Sequence, residues 1–148
     1  MPLPPIPDAA VRLQCPAADW REAVRLAGGA LEDAGATTAA YADEMVRMIE
    51  EHGPYVVVSP GLALAHARPG PSVLADGLSV VTLERPVVFG HPHNDPVRVV
   101  LGLAVHSPER HLGLIADLAN AFDVADTTAR LAAAADADAV RGVLGAVA

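Results

Sequence analysis

Lysine is absent from this 148-residue chain: all ten basic residues are arginine, and eighteen Asp and Glu leave a formal charge of −8 at pH 7. Binding a polyanion requires an excess of cations to displace condensed counterions, so nucleic acid is excluded as a partner. There is one cysteine, Cys15. With no internal partner it excludes a disulfide-stapled secreted fold and favours a reducing, cytoplasmic setting, with Cys15 itself expected in the core. Aromatic residues make up only 3% of a chain that is 52% apolar, and thirty alanines account for much of the difference. That apolar content is largely helix-forming filler. Long apolar runs are missing too. The longest, Tyr55 to Ala67, is broken by Pro60 and Gly61 and followed by Arg68, so it reads as buried strands rather than a membrane span. The start, MPLPPIPDAA, has prolines where a signal peptide has a basic residue and an apolar core, and residues 1–10 read as a proline-rich lead.

What is present suits one soluble domain, large enough to bury a core without staples. Val11 to Cys15 alternates like a half-buried strand. Asp19 caps a helix from Trp20, whose apolar residues Ala23, Val24, Ala27, Ala30 and Leu31 recur at helical spacing until Gly35, although Gly28-Gly29 weakens it. Thr37 or Thr38 is expected to cap a second helix carrying Tyr41, Met45, Met48 and Ile49 and ending at Gly53. Valine-rich runs at Tyr55–Val58, Leu62–Ala65, Leu78–Leu83 and Val97–Val105 predict strands. Helix returns at Pro108, with an expected apolar stripe of Leu112, Ile115, Leu118, Ala119 and Phe122, and two alanine-rich helices follow near Asp126 and Asp136. This order implies an α/β or α+β layered domain with its sheet covered.

Six histidines, at 52, 66, 91, 93, 106 and 111, carry what chemistry the chain offers. Most histidines in a soluble domain are surface or structural residues, so context must separate them. His66 closes the apolar strand Leu62-Ala63-Leu64-Ala65, just before Arg68-Pro69-Gly70 turns the chain away. Open sheets place their sites at strand ends of this kind, and a neutral imidazole there is a nucleophile able to accept a phosphoryl group. His91-Pro92-His93-Asn94-Asp95 has the H-x-H-x-D spacing of dinuclear metal hydrolases, but further ligands are scarce downstream, and a turn capped by Asn94 and Asp95 is the favoured reading. His111 falls in the first turn of the helix after Ser107-Pro108. It is either a solvated helix start or a second imidazole able to donate to a transferring phosphoryl oxygen.

Two segments, EEHGPYVVVSPGLALAHARP from Glu50 to Pro69 and FGHPHNDPVRVVLGLA from Phe89 to Ala104, resemble the enzyme IIA (EIIA) component of the bacterial phosphotransferase system (PTS). The likeness is to the mannitol/fructose superfamily (type 2), most of all its ascorbate-type branch, and covers about Trp20 to Phe122. It implies a single three-layer α/β domain over 1–148, with a mixed central sheet flanked by helices, and no metal or other cofactor. It also implies a phosphocarrier for sugar uptake. His66 would take a phosphoryl group from phospho-HPr as a tele-phosphohistidine and pass it to a cysteine of an EIIB partner, which serves a membrane EIIC. His111 matches the histidine that stabilises the phosphoryl group. An alternative in the same family is a regulatory module whose phosphorylation state is read by a transcription regulator or kinase. The chain departs from the pattern at Ala65, where ascorbate-type members have proline. It departs again at Glu50, where mannitol-type members have arginine, with Arg47 about one turn earlier. Arg68 is the candidate substitute for countering phosphate charge, and the role of His52 is open. An apolar patch with an acidic rim is expected around His66.

Overall fold

Alanine-rich helices and valine-rich strands sort into three layers in the computed structural model, which describes residues 3–122, 124 and 126–148. The strands are β1 (Val11–Cys15), β2 (Val57–Ser59), β3 (Leu62–His66), β4 (Gly77–Val87) and β5 (Val97–Ala104). They form one sheet in the order β1-β4-β5-β3-β2, with β1–β4 and β3–β5 parallel and β4–β5 and β2–β3 antiparallel. The helices are α1 (Trp20–Asp33), α2 (Ala40–His52), α3 (Pro108–Ala121), α4 (Thr127–Ala132) and α5 (Ala137–Leu144), and a single 3-10 turn, Asp8–Ala10, precedes β1. None of these helices is long and apolar enough to cross a membrane.

Both faces of the sheet are covered, which is why the central strands β3 and β5 are almost wholly apolar and buried, while the edge strand β1 alternates. Ala63, Ala65, Val81 and Val100 pack with Val24, Ala27 and Leu31 of α1 and Tyr41 and Met45 of α2. Leu62, Leu64, Val99, Leu101 and Leu103 pack on the other face with Leu114 and Leu118 of α3, Leu131 of α4 and Val140 of α5. Since β3 alternates faces residue by residue, His66 shares the face of Leu62 and Leu64 and is directed toward the α3 layer.

Several local expectations are met and others change. Asp19 caps α1 by accepting from Glu22 N–H. The Gly28-Gly29 pair does not interrupt the helix, because Gly28 is the point where α1 meets α2: a Cβ there would stand 2.5 Å from the Ala42 Cβ. Neither Thr37 nor Thr38 caps α2, whose N-cap is Ala39 with no side-chain bond. The backbone at these threonines is committed elsewhere, Thr37 bridging Val73 and the Thr38 N–H donating to Ser72. Leu112 is 70% exposed, and the buried face of α3 runs through His111, Leu114 and Leu118. The stripe had to rotate because His111, one position before Leu112, turns inward, and adjacent residues point about 100° apart on a helix. Cys15 is half-buried against the α1–α2 side, at the margin of the core rather than within it.

Candidate functional site

The carboxyl ends of the parallel pair β3 and β5 lie side by side, with His66 in register opposite Leu103. A few residues beyond the end of β5, the chain enters α3, so the sheet edge that ends in His66 also delivers the first turn bearing His111. Ser107 caps that turn, accepting from Arg110 N–H, and Pro108 occupies a first-turn position where no N–H is needed. The two imidazoles meet edge to face with ring centroids 5.2 Å apart, and each residue is 9% exposed.

The local backbone orients the His66 ring. Its Nδ1 lies 2.9 Å from the Leu64 carbonyl oxygen. A carbonyl only accepts, so Nδ1 carries the proton in the neutral ring and Nε2 is left with a free lone pair. Tyr55 supports the ring from another side, edge to face at 5.5 Å, and in turn meets His52 at 6.3 Å. Tyr41 fixes the backbone just beyond His66. Its hydroxyl donates to Leu103 O at 2.6 Å and accepts from Ala67 N–H at 3.0 Å, bolting α2 to the ends of β5 and β3. Burial, with a smaller contribution from Glu44, pushes the phenol up to about 12 against the lowering effect of its bond to Ala67, so the hydroxyl stays protonated as the network requires. Tyr41→Phe strands a buried N–H and a buried carbonyl, and is expected to cost about 1–3 kcal/mol in denaturant unfolding.

A cavity of about 360 Å³ opens over the rings, lined by Met48, His52, Tyr55, His66, Ala67, Arg68 and His111. Beside it a second hollow is lined by Glu44, Arg47, Glu51, His52 and Arg68. Arg68 is therefore at the site, exposed and without an ion-pair partner among the described residues. Arg47 reaches the neighbouring hollow, while Glu50 is engaged away from it in a pair with Arg21 at 3.2 Å. The expected acidic rim is replaced by a mixed one, because α2 lines the second hollow with Arg47 and His52 as well as Glu44 and Glu51.

Burial lowers the pKa of His66 below the usual 6.5, against an opposing contribution from its bond to Leu64. Burial lowers that of His111 as well, with the neighbouring His66 adding to the effect. Both rings are neutral at pH 7. Below pH 6.5 the unfolded chain binds protons at these histidines that the native state refuses, so their contribution to stability is complete above pH 6.5. It is lost as pH falls toward the lowered native values. Unfolding free energies measured between pH 7 and 5 are expected to decline, and the slope should flatten in a His66→Ala/His111→Ala protein.

The histidines outside the cavity are structural or peripheral. His91 Nδ1 accepts from the N–H groups of His93 and Asn94, and the Asp95 carboxylate accepts from Phe89, Gly90 and His91 N–H. The H-x-H-x-D segment is thus a turn closed by its own side chains. Among the described residues, no three His, Cys, Asp or Glu side chains are grouped to hold a metal ion. His106 lies 3.4 Å from Asp76. Tyr41 and Tyr55 were not legible as site residues, since the helical periodicity that located Tyr41 and the valine-rich run that located Tyr55 equally mark core positions.

These features define a class: a small three-layer α/β domain that presents a neutral imidazole, backed by a second, at the carboxyl edge of its sheet. Residues 6–146 match the family model described as phosphoenolpyruvate-dependent sugar phosphotransferase system, EIIA 2, and the chain belongs to that family. It is 36% identical over 124 residues to the ascorbate-specific PTS system EIIA component of Escherichia coli strain K12, covering 83% of this chain and 80% of that one. The crystal structure of mannitol IIA from Escherichia coli superposes with a TM-score of 0.79 at 28% identity, covering 92% of this chain and 96% of that one. The IIA chain in a complex with phosphorylated mannitol IIB from the same organism gives 0.80 at 27% identity, covering 94% and 96%. That family is the one that the two sequence motifs resemble.

Proposed function

We propose that the protein is a cytoplasmic phosphocarrier in the ascorbate-type branch, working through a phosphohistidine at His66. The Nε2 lone pair attacks phosphorus on the phosphohistidine of HPr in line. The new Nε2–P bond forms as the donor N–P bond breaks, and the donor imidazole leaves with the electron pair. The reverse sequence delivers the group to a cysteine thiolate of an EIIB partner, which phosphorylates sugar entering through a membrane EIIC. Such transfers depend on positioning and on countering phosphoryl charge, with little covalent machinery. His111 is assigned the stabilisation of phosphoryl oxygens, and Arg68 the balancing of their charge across the shared cavity.

The observation that carries this reading is the tautomer. With Nδ1–H tied to Leu64, the imidazole is neutral, oriented, and nucleophilic only at Nε2. The 36% identity to an ascorbate-specific component supports the branch. The test is incubation with phosphoenolpyruvate, enzyme I and HPr, then ¹⁵N NMR of the product. An acid-labile, base-stable phosphate with the Nε2 signature is expected. No label on the wild-type protein overturns the proposal, and label at Nδ1 overturns its chemistry.

A further inference from the structure

We propose that Asp76 is a positioning residue for phosphoryl transfer, holding the first turn of α3 so that His111 stands against His66; this rests on the phosphocarrier reading. The antiparallel register pairs Gly77 with Ala104, which brings Asp76 alongside the residues that lead from β5 into α3. One carboxylate then takes both ends of that segment. Oδ1 accepts from the His106 N–H at 3.1 Å and lies 3.4 Å from His106 Nδ1, and Oδ2 is 2.6 Å from Arg110 Nε. His106 immediately precedes the Ser107 cap and Arg110 immediately precedes His111.

Asp76 is anchored in its turn. Leu74 and Ala75 N–H both donate to Ala36 O, at 2.8 and 3.1 Å, and a Cβ on Gly77 would lie 2.4 Å from the Ala36 Cβ. The start of β4 is therefore pressed against the α1–α2 connection. The Ser107 cap satisfies the helix's own N–H groups but does not set where the helix stands relative to the sheet. The Asp76 contacts do, because they join the first turn of α3 to the strand beside it. A partly exposed ion pair contributes little to global stability, with side chains here 36% and 27% accessible. Small displacements of a group facing the reacting atoms, by contrast, cost rate steeply.

The experiment is a double-mutant cycle on the rate of transfer from phospho-HPr, with Asp76→Ala and Asp76→Asn each on the wild-type and His111→Ala backgrounds. A residue that acts through His111 loses its effect when His111 is gone. Asp76→Ala is expected to slow transfer about tenfold with His111 present and not at all without it. Asp76→Asn keeps an acceptor for the His106 N–H but loses the ionic hold on Arg110, so it should fall between. The His111 imidazole resonances should move in Asp76→Ala while those of His91 stay. Equal slowing on both backgrounds, or a wild-type rate in folded Asp76→Ala, overturns the inference; if the alanine variant does not fold, the asparagine variant decides. A wild-type protein that takes no label removes the carrier reading instead, and unmoved His111 resonances then still refute the positioning role.

Discussion

His66→Ala is expected to take no phosphoryl label from phosphoenolpyruvate, enzyme I and HPr while remaining folded. The substitution removes Nε2, the ring nitrogen that the Nδ1 bond to Leu64 leaves free and oriented. His111 is an imperfect stand-in, since its Nδ1 is buried and its ring is held in the first turn of α3. The structural loss is small. His66 ends β3, so its backbone pairing with β5 does not depend on the side chain. Among the described residues the imidazole makes one hydrogen bond, to the carbonyl two residues back, worth about 1 kcal/mol. A circular dichroism spectrum like the wild type's with no acid-labile phosphate is the predicted pair of results. Wild-type labelling of His66→Ala would move the acceptor elsewhere.

His111→Ala should separate function from stability in a different way. A preorganised donor facing developing charge is worth about 10²–10³ in rate, and transfer both from HPr and to EIIB is expected to slow by that order. Yet the His111 Nδ1 is buried without a hydrogen-bond partner among the described residues. Leaving a polar atom unpaired in this way costs about 1–3 kcal/mol, which the alanine no longer incurs. Loss of the packed ring opposes that gain, so the melting temperature should be unchanged or slightly raised. Thermal unfolding read beside quench-flow kinetics checks both halves. Wild-type kinetics in this variant would return His111 to a purely structural role.

The two variants probe different depths of legibility. His66 stood out because a polar ring closing an apolar run conflicts with its surroundings, and such conflicts mark sites. The strands, the Asp19 and Ser107 helix starts and the glycine stops followed from local rules that involve neighbours in the chain. Where the Thr37-Thr38 cap and the Leu112 stripe went differently, the deciding partner was distant: Ser72 and Val73 took the threonine backbone, and the cleft took His111 inward. Glu50 and Arg47 show the same limit. Their spacing from His66 is visible in the chain, but only the orientation of α2 turns Arg47 toward the hollow and Glu50 toward Arg21.

Composition and pattern alone predicted an acidic, single-cysteine layered domain, α/β or α+β, with histidine as its candidate chemistry, and its two motifs pointed to the family. The tertiary structure decided which histidines meet. His66 and His111 are far apart in sequence, and their contact follows from β3 lying parallel to β5, which sets one strand's end beside the helix that follows the other. It also decided the tautomer, through a carbonyl on the same strand, and the contacts of Tyr41 and Asp76, which look like a core residue and a loop acid until folded. Periodicity reports which face a residue occupies; it carries no record of the partner across that face, and the site is made of such partners.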